Sequence, residues 1–377
     1  MSGPARPPDQ HAPARAPEAG KSPRAHQPQR APRFFTLVFT LAAGAVLLLL
    51  PRVLAPYPLV TLSYALVLSI ACLGLNLLWG TTGLLSLGHA AYFGAGAYAG
   101  GFLYYFGPLT SLELYLLAGI VASTALAAVV GSVCVRATRI HFTVLTLVFA
   151  QMLHALFISG AVFRPFGGVG QGLYLLGEGG LYIPRFTVLG AQIAADAFGP
   201  VFYHVVLAAF AGSLALLWWI EHSPFGMALL AIRENATRAV CVGIPVRRYR
   251  WLAFVLSGAV TGLAGGLYGQ LSRQITPEQL HWLFSAQLVL ATVLGGTRRF
   301  LGPVAGAFGF VALEDLASRL TGYRGLVSGL LLVAAVLAFP EGLVAAGTRL
   351  VGRWSGAARI RVGRPRRQGP GASPSGG

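Results

Sequence analysis

Charged side chains are scarce in this sequence. Only 10% of its 377 residues are charged, whereas a typical soluble domain carries about 25%. Hydrophobic residues account for 55%, and the mean hydropathy is +0.67. Water would not solvate a surface so poor in charge, so the composition excludes an ordinary soluble protein and predicts an integral membrane protein.

Acidic residues are scarcer than basic ones. The 11 Asp and Glu stand against 28 Lys and Arg, which leaves a net charge of +17. Such an excess also occurs in nucleic-acid-binding proteins. Here the positive residues lie in the two tails and in short loops between apolar runs, as in membrane proteins that keep Lys and Arg on the cytoplasmic side. We therefore expect the tails to contact anionic membrane lipid, and we predict no nucleic-acid partner.

Motifs for metals, cofactors and catalysis are missing. The three cysteines have no spacing typical of zinc or of a redox pair, and the histidines of the apolar runs lack acidic neighbours. Gly20-Lys21-Ser22 resembles the end of a phosphate-binding loop, but Arg15 stands where that loop needs glycine. No Ser/His/Asp set indicates an intramembrane enzyme. The sequence predicts no enzyme activity, no metal and no bound cofactor.

The two ends of the chain differ from its middle. Residues 1–33 are rich in Pro, Ala and Arg and lack the apolar residues of a core, so we expect a disordered basic cytoplasmic arm. A similar tail is expected at 346–377, and a transmembrane domain at 34–345. The run 34–50 has the apolarity of a signal peptide, but its leading arm is long and no clear small-residue cleavage site follows, which favours a retained helix.

Long apolar runs fill the middle of the chain. Most approach the length of about 20 residues that a helix needs to cross a bilayer. They are continuous rather than alternating, which argues against a β-barrel, and lipid offers their backbone groups no outside partner, which requires helices. The sequence predicts an all-α integral membrane protein, a polytopic bundle of about ten transmembrane helices, near 34–50, 58–79, 84–106, 111–135, 141–163, 200–220, 251–271, 280–296, 302–320 and 323–339.

The connections between these runs alternate in charge. With the N-terminus in the cytoplasm, the internal connections carry clusters of arginine, of which the largest lies within 221–250. The external ones hold only isolated arginines, namely Arg52, Arg164, Arg185, Arg273 and Arg324. Because Lys and Arg accumulate on the cytoplasmic side, this bias predicts that both termini are cytoplasmic.

The internal connection 221–250 is unusually long. Pro224 suits a helix start, and Gly243 followed by Pro245 suits a stop. Between them one apolar helix face is predicted, which consists of Leu229, Ile232, Ala236, Ala239 and Val240. Such a helix lies either in the groove of a soluble partner or on lipid headgroups, and the pattern alone does not separate the two.

This loop resembles the cytoplasmic coupling segment, the Glu-Ala-Ala loop, of ABC importer permeases. Glu234, Ala236 and Gly243 match that motif, whereas Asn235 stands in place of its first alanine. Within that class the chain resembles the LivM-type permeases of branched-chain amino-acid importers. Four further segments carry this resemblance, at 85–98, 142–147, 252–266 and 295–306.

The resemblance implies a passive, multi-pass subunit of the bacterial inner membrane. The implied partners are a second, LivH-type permease, two cytoplasmic ATP-binding subunits that alone bind ATP, and a periplasmic or lipid-anchored solute-binding protein. The implied cargo is a branched-chain amino acid, although similar permeases carry urea, short amides and aromatic acids. The residues implied in coupling to the ATPase are Arg233, Glu234, Ala236, Arg238 and Gly243.

Small and polar residues inside the runs are the remaining candidates. Glycines four apart let helix backbones approach closely in lipid, which predicts packing contacts at Gly96, Gly100, Gly262, Gly266, Gly302 and Gly306. Polar residues in spans are candidates for a translocation path, here Ser86, His89, Thr143 and Thr146. The alternative is that such side chains only bond to neighbouring helices.

A secondary transporter driven by an ion gradient is the main rival function. Such carriers usually bury several ionisable groups along their path. Here only Glu314 and Asp315 lie well inside a run, and Asp315 precedes Arg319 by four residues, which predicts an ion pair on one helix face. This scarcity favours a pathway that is powered by a partner.

Overall fold

The computed structural model describes residues 47–52, 54–106, 111–137, 140–159, 180–188, 190, 197–320, 323–338 and 342–345. The chain forms two compact units, Met1–Val46 and Leu47–Gly377. The first unit lies outside the described residues, and so do the predicted arm 1–33, most of the run 34–50 and the predicted tail 346–377. The fold below is that of the second unit.

Helices account for nearly all of the described chain. Nine of them coincide with the last nine predicted runs, which confirms the all-α fold, and two more lie in the loop 221–250. They are α1 (Pro56–Thr82), α2 (His89–Phe106), α3 (Leu112–Cys134), α4 (Ile140–Ile158), α5 (Phe198–His222), α6 (Pro224–Glu234), α7 (Ala236–Cys241), α8 (Val246–Ser272), α9 (Trp282–Gly295), α10 (Gly302–Leu320) and α11 (Arg324–Ala338).

Helices α1 and α8 form the buried centre. In their most apolar stretches 72% of α1 and 67% of α8 is buried, against 22% of α4. The polar side chains of α1 are satisfied locally, since Ser63 Oγ donates to Leu59 O at 2.8 Å and Ser69 Oγ donates to Ala65 O at 2.7 Å. A helix that is apolar all round is stable only when other helices or lipid surround it.

The outward faces of the peripheral helices are apolar. Val121 and Val129 on α3, Val148 and Met152 on α4, and Trp219 on α5 are each more than half exposed. Lipid solvates such a surface, whereas water does not. Five helices, α1, α3, α4, α5 and α8, are long and apolar enough to cross a bilayer. The protein is therefore a multi-pass membrane protein.

Two apolar helices are shorter than a full crossing. Helix α9 has 14 residues and α11 has 15, and at about 1.5 Å per residue α9 extends only about 21 Å. The predicted start of the run at 84 is wrong. Gly83 adopts φ +74 and ends α1, so the chain is non-helical up to His89, where α2 begins. Ser86 thus lies in an interior loop rather than in a helix.

A small sheet fixes part of the predicted external connection 164–199 to the end of α8. Strand β1 (Leu181–Tyr182) pairs antiparallel with β2 (Gln274–Ile275). Ile183 N also donates to Arg273 O at 2.9 Å. Next to β2, a 3₁₀ helix at Pro277–Leu280 leads into α9. These contacts hold the described residues 180–188 against the helix bundle.

Candidate functional site

Helices α6 and α7 occupy the loop that the sequence singles out for coupling. The predicted start is confirmed, because Ser223 caps α6 and Pro224 is its first residue. The Ser223 Oγ accepts a hydrogen bond from Gly226 N at 3.4 Å. A Cβ on Gly226 would overlap the Glu221 and Ile220 carbonyl oxygens, so only glycine permits this sharp turn from α5 into α6.

The predicted single helix is broken at Asn235. This residue is extended, with φ −156 and ψ 100, and its Oδ1 accepts from Arg238 N at 2.9 Å, which caps α7. Asparagine at such a position competes with helix continuation because its side chain bonds to the backbone of the next turn. The residue in which the loop departs from the Glu-Ala-Ala pattern is therefore the residue that divides the helix.

The apolar face of the two helices points into the protein. Leu229, Ile232 and Ala239 are at most 4% exposed, and Leu229 joins a cluster with residues of α1 and α8, including Leu78 and Ala253. The prediction that Val240 shares this face is wrong, because the break at Asn235 rotates α7 and leaves Val240 59% exposed.

Other residues of α6, of α7 and of the turn after α7 are exposed, and they mix apolar with charged groups. We call them the coupling surface, which consists of Met227, Glu234, Arg238, Val240 and Val242. Met227, Val240 and Val242 are 61%, 59% and 76% exposed. Ala236, also implied in coupling, is half-buried behind this surface. An apolar patch of this kind next to charges is typical of a docking site for a soluble protein.

Arg233 ties α6 to the end of α1. Its guanidinium Nη1 donates to Gly80 O, one of the carbonyls that a helix C-terminus leaves without a partner in its own ladder. A cation there also interacts favourably with the helix dipole. The Arg233 stem packs on Gly83, where a Cβ would lie 3.1 Å from the Arg233 Cγ. Of the residues predicted for coupling, Arg233 is exposed and at the same time bonded to α1.

Gly243 ends α7 in a Schellman motif. Its N–H donates to Val240 O at 2.9 Å, and Ile244 N donates to Ala239 O at 3.0 Å. Gly243 has φ +89, and no atom would contact an added Cβ. The glycine is therefore required by the left-handed backbone conformation and not by space.

The four residues predicted for the path lie close together at the junction of α2 and α4. Thr143 Oγ1 donates to Leu85 O at 2.7 Å, and Gly88 N donates to Ser86 Oγ at 3.2 Å. A Cβ on Gly88 would lie 2.6 Å from Thr146 O. Ser86, His89 and Thr146 are at most 1% exposed. In this conformation they bond within the protein, and their role in a path stays a prediction.

His89 connects three helices through a serine that the sequence analysis missed. His89 Nε2 lies 2.7 Å from Ser257 Oγ, and Ser257 Oγ donates to Gly74 O at 2.6 Å. The chain of bonds therefore joins α2, α8 and α1. A second missed serine, Ser285 on α9, accepts from Ala90 N at 2.8 Å and caps the start of α2. The only sequence signal for either was a polar residue in an apolar run.

Glycine backbones form the contact of α2, α3 and α8. A Cβ on Gly96 would overlap the Gly262 carbonyl, and one on Gly119 would lie 2.7 Å from Gly96 O. One on Gly262 would overlap the Ser123 side chain. Gly100 is covered in the same way by the Tyr115 ring. The close approach permitted by these residues is the packing geometry expected of small residues in lipid.

The other predicted packing glycines also lie at helix contacts. An added Cβ on Gly266 would approach Leu116 Cδ2 to 3.1 Å. In the hairpin of α9 and α10, one on Gly302 would overlap the Gly296 carbonyl, and one on Gly306 would overlap the Ala291 carbonyl. This hairpin therefore closes with its backbones in direct contact.

The ion pair predicted on α10 is present. Arg319 Nη2 lies 3.0 Å from Asp315 Oδ2, which confirms the ion pair, and Tyr57 OH donates to Asp315 Oδ1 at 2.7 Å. The described residues contain no group of three His, Cys, Asp or Glu side chains that could hold a metal ion.

A bundle of this kind, with a broken amphipathic element between α5 and α8, defines a polytopic helical membrane protein. The chain matches the family described as the permease component of branched-chain amino acid transport systems over residues 57–336. This range contains nearly all of α1 to α11. The chain belongs to this family.

The curated relatives of the chain agree with this assignment. The high-affinity branched-chain amino acid transport system permease protein LivM of Escherichia coli K12 is 26% identical over 285 residues, and that of Salmonella typhimurium LT2 is 26% identical over 292 residues. Both matches cover 72% of this chain and 66% of the relative, so the chain spans about two thirds of their length. LivH of E. coli K12 is 31% identical over 140 residues, which is 37% of this chain and 45% of LivH.

Proposed function

We propose that the chain is the passive, membrane-spanning subunit of a bacterial ABC importer. In this proposal a LivH-type permease forms the other half of the path, two cytoplasmic subunits bind and hydrolyse ATP, and a solute-binding protein delivers the cargo. Similarity to both LivM and LivH supports a pair of related permeases. The chain itself would hydrolyse no ATP.

The observation that carries the proposal is the coupling surface. Buried residues of α6 and α7 anchor this element in the protein, while Met227, Val240 and Val242 are exposed, as are Glu234 and Arg238. A short helical element that presents apolar anchors in this way fits the groove of a soluble partner. Because Leu229 and Ile232 are already buried, the partner would contact the opposite face from the one that the sequence favoured.

Force on this surface would reach the two central helices directly. Arg233 connects α6 to the end of α1 through Gly80 O. Leu229 packs with Leu78 of α1 and Ala253 of α8, and only four residues separate α7 from α8. Displacement of α6 and α7 by closure of the ATPases would therefore tilt α1 and α8, which is the kind of rigid-element shift that alternates access to a path.

Substitutions in this element test the proposal. In proteoliposomes that contain the complete transporter, we expect Glu234→Ala or Gly243→Ala to lower solute uptake about ten-fold while ATP hydrolysis continues. Glu234→Ala removes a charge of the surface, and Gly243→Ala strains the backbone that orients it. One matched control is Glu278→Ala, which replaces an exposed glutamate in the 3₁₀ helix. The other is Gly212→Ala on α5, where an added Cβ would meet no atom within 4 Å. Uptake at the wild-type rate by both coupling variants would contradict the assignment.

We propose a branched-chain amino acid as the cargo, and urea and short amides are the alternatives. Competition of unlabelled leucine, urea and acetamide against uptake of labelled leucine separates them. Uptake that survives loss of ATP but collapses with the proton gradient would overturn the ABC mechanism in favour of a secondary transporter.

A further inference from the structure

A cavity lined by arginine lies where α1, α5 and the end of α8 meet. Its polar lining residues are Arg185, Arg273, Gln270 and Ser63. The rest of its described lining is mostly apolar and includes Leu54, Leu59 and Phe202. No Asp or Glu occurs among the described residues that line it. We call it the arginine cavity.

Gln270 lines this cavity and has an unused donor. The residue is 2% exposed, and its Oε1 accepts a hydrogen bond from Phe186 N at 3.4 Å. That bond assigns the other amide atom as nitrogen, and this Nε2 has no partner although it is buried. A buried donor without an acceptor costs free energy, and an acceptor on a ligand would offset that cost once a small shift of the lining exposes the nitrogen.

Aromatic rings hold the two arginines in place, and within the described part of the chain no carboxylate pairs with either. The Arg185 guanidinium lies over the Phe198 ring at 5.1 Å. That of Arg273 lies 5.2 Å from the centre of the Tyr182 ring, and its Nη2 donates to the Tyr182 hydroxyl. The Arg273 Nε is buried and has no hydrogen-bond partner. Stacking of this type orients a guanidinium and leaves its charge available to an anion.

The N-terminus of α5 adds to the positive potential. Helix α5 begins at Phe198 and has no side-chain cap, and Phe198 and Gly199 line the cavity. Since the N–H groups of a first helical turn lack acceptors in their own helix, an anion placed here would receive hydrogen bonds from these two residues and the favourable end of the helix dipole. The start of α1 offers no such donors to the cavity, because Pro56 and Pro58 have no N–H.

We propose that the arginine cavity binds an oxyanion, a carboxylate or a phosphate, that is attached to an apolar group. The guanidinium groups and the Gln270 amide hold the charged oxygens, and the side chains around Leu59 and Phe202 hold the apolar part. Two sources offer this chemistry, namely a small branched carboxylic acid and the headgroup of an anionic phospholipid. The site does not depend on which solute the protein transports.

Thermal unfolding of the full chain in a neutral detergent distinguishes the sources. One titration uses isobutyrate with the uncharged isobutyramide as its control, and the other uses phosphatidylglycerol with phosphatidylcholine as its control. A saturable rise of the melting temperature with the acid alone identifies a soluble carboxylate, and a rise with the lipid alone identifies a headgroup. The absence of a saturable rise with either anion overturns the proposal.

Substitutions of the lining residues test whether the anion binds in the arginine cavity. We expect Arg185→Gln, Arg273→Gln and Gln270→Leu each to weaken the anion about ten-fold, whereas Arg52→Gln, an exposed arginine outside the cavity, leaves binding unchanged. If Arg273→Gln does not fold because it loses its contact with Tyr182, Arg185→Gln still tests the site. An equal loss in Arg52→Gln would show non-specific charge attraction and overturn the site.

The chain's own Asp196 provides the last control. It precedes α5 by two residues and lies outside the described part of the chain. If wild type and Asp196→Asn bind the anion equally, the cavity is open to a ligand. Binding that occurs only in Asp196→Asn would mean that this carboxylate fills the cavity, and the proposal would be wrong.

Discussion

At the scale of single residues, close contact of backbones sets the packing of this protein. The backbone at Gly96 of α2 contacts the backbones of Gly262 on α8 and of Gly119 on α3, and the small Ser123 side chain packs on Gly262. In lipid no hydrophobic effect drives helices together, so van der Waals contact and hydrogen bonds must do it. Ser123 Oγ, which donates to Tyr92 O at 2.8 Å beside this contact, supplies one such bond.

Gly262→Ala tests this contact. The added methyl would overlap Ser123 Cβ and Oγ, so the helices must separate, and we expect a loss of about 1–3 kcal/mol in the free energy of unfolding. Gly212→Ala is the matched control. Its methyl meets no atom within 4 Å, and the higher helix propensity of alanine should leave the protein as stable as before or slightly more so. Equal melting temperatures for the two variants in detergent would contradict this account.

At the scale of elements, the division between α6 and α7 decides which groups face outward. Were the helix continuous, Val240 would follow Leu229 and Ile232 into the interior. The extended backbone at Asn235 instead turns Val240 outward while Ala239 stays buried. The coupling surface therefore depends on the cap that Asn235 forms.

Asn235→Ala is expected to merge the two helices. It removes the bond from Arg238 N to the side chain, at a cost of about 1 kcal/mol, and alanine favours continuation of α6. Amide hydrogen exchange across 236–241 should change and uptake should fall while the melting temperature changes little. Asn235→Ser retains a cap and should behave like wild type. Loss of uptake in both variants to the same degree would contradict a role for the break.

The helices also show how much of the fold could be predicted from the sequence. The nine apolar runs that the structure describes became helices because backbone groups in lipid have no alternative partner. The break at Asn235 was missed because apolar periodicity continues across it, and a cap is a local bond that periodicity does not register. Ser257, Ser285 and the arginine cavity were missed because each depends on contacts between residues distant in sequence, and only the folded arrangement brings those together.

At the scale of the whole molecule, orientation is the main prediction to test. Cys241 is exposed beside the coupling surface, whereas Cys72 and Cys134 are buried. In vesicles from cells that produce the chain without ATPase partners, a membrane-impermeant maleimide should label inside-out vesicles and spare right-side-out ones, because 221–250 is predicted to be cytoplasmic. Cys241→Ser is the control and should remain unlabelled. Labelling of right-side-out vesicles instead would reverse the orientation.

The glycine contact of α2, α3 and α8 has a mechanical consequence. Side chains between helices change rotamer and so absorb sliding, but two backbones in van der Waals contact have no such freedom. These three helices therefore behave as one rigid block, and α1 is fixed to it through the bond from Ser257 to Gly74. Any rearrangement during a transport cycle must then occur at the borders of this block, toward α4, α5, α9 and α10, and spectroscopic distance probes would be most informative there.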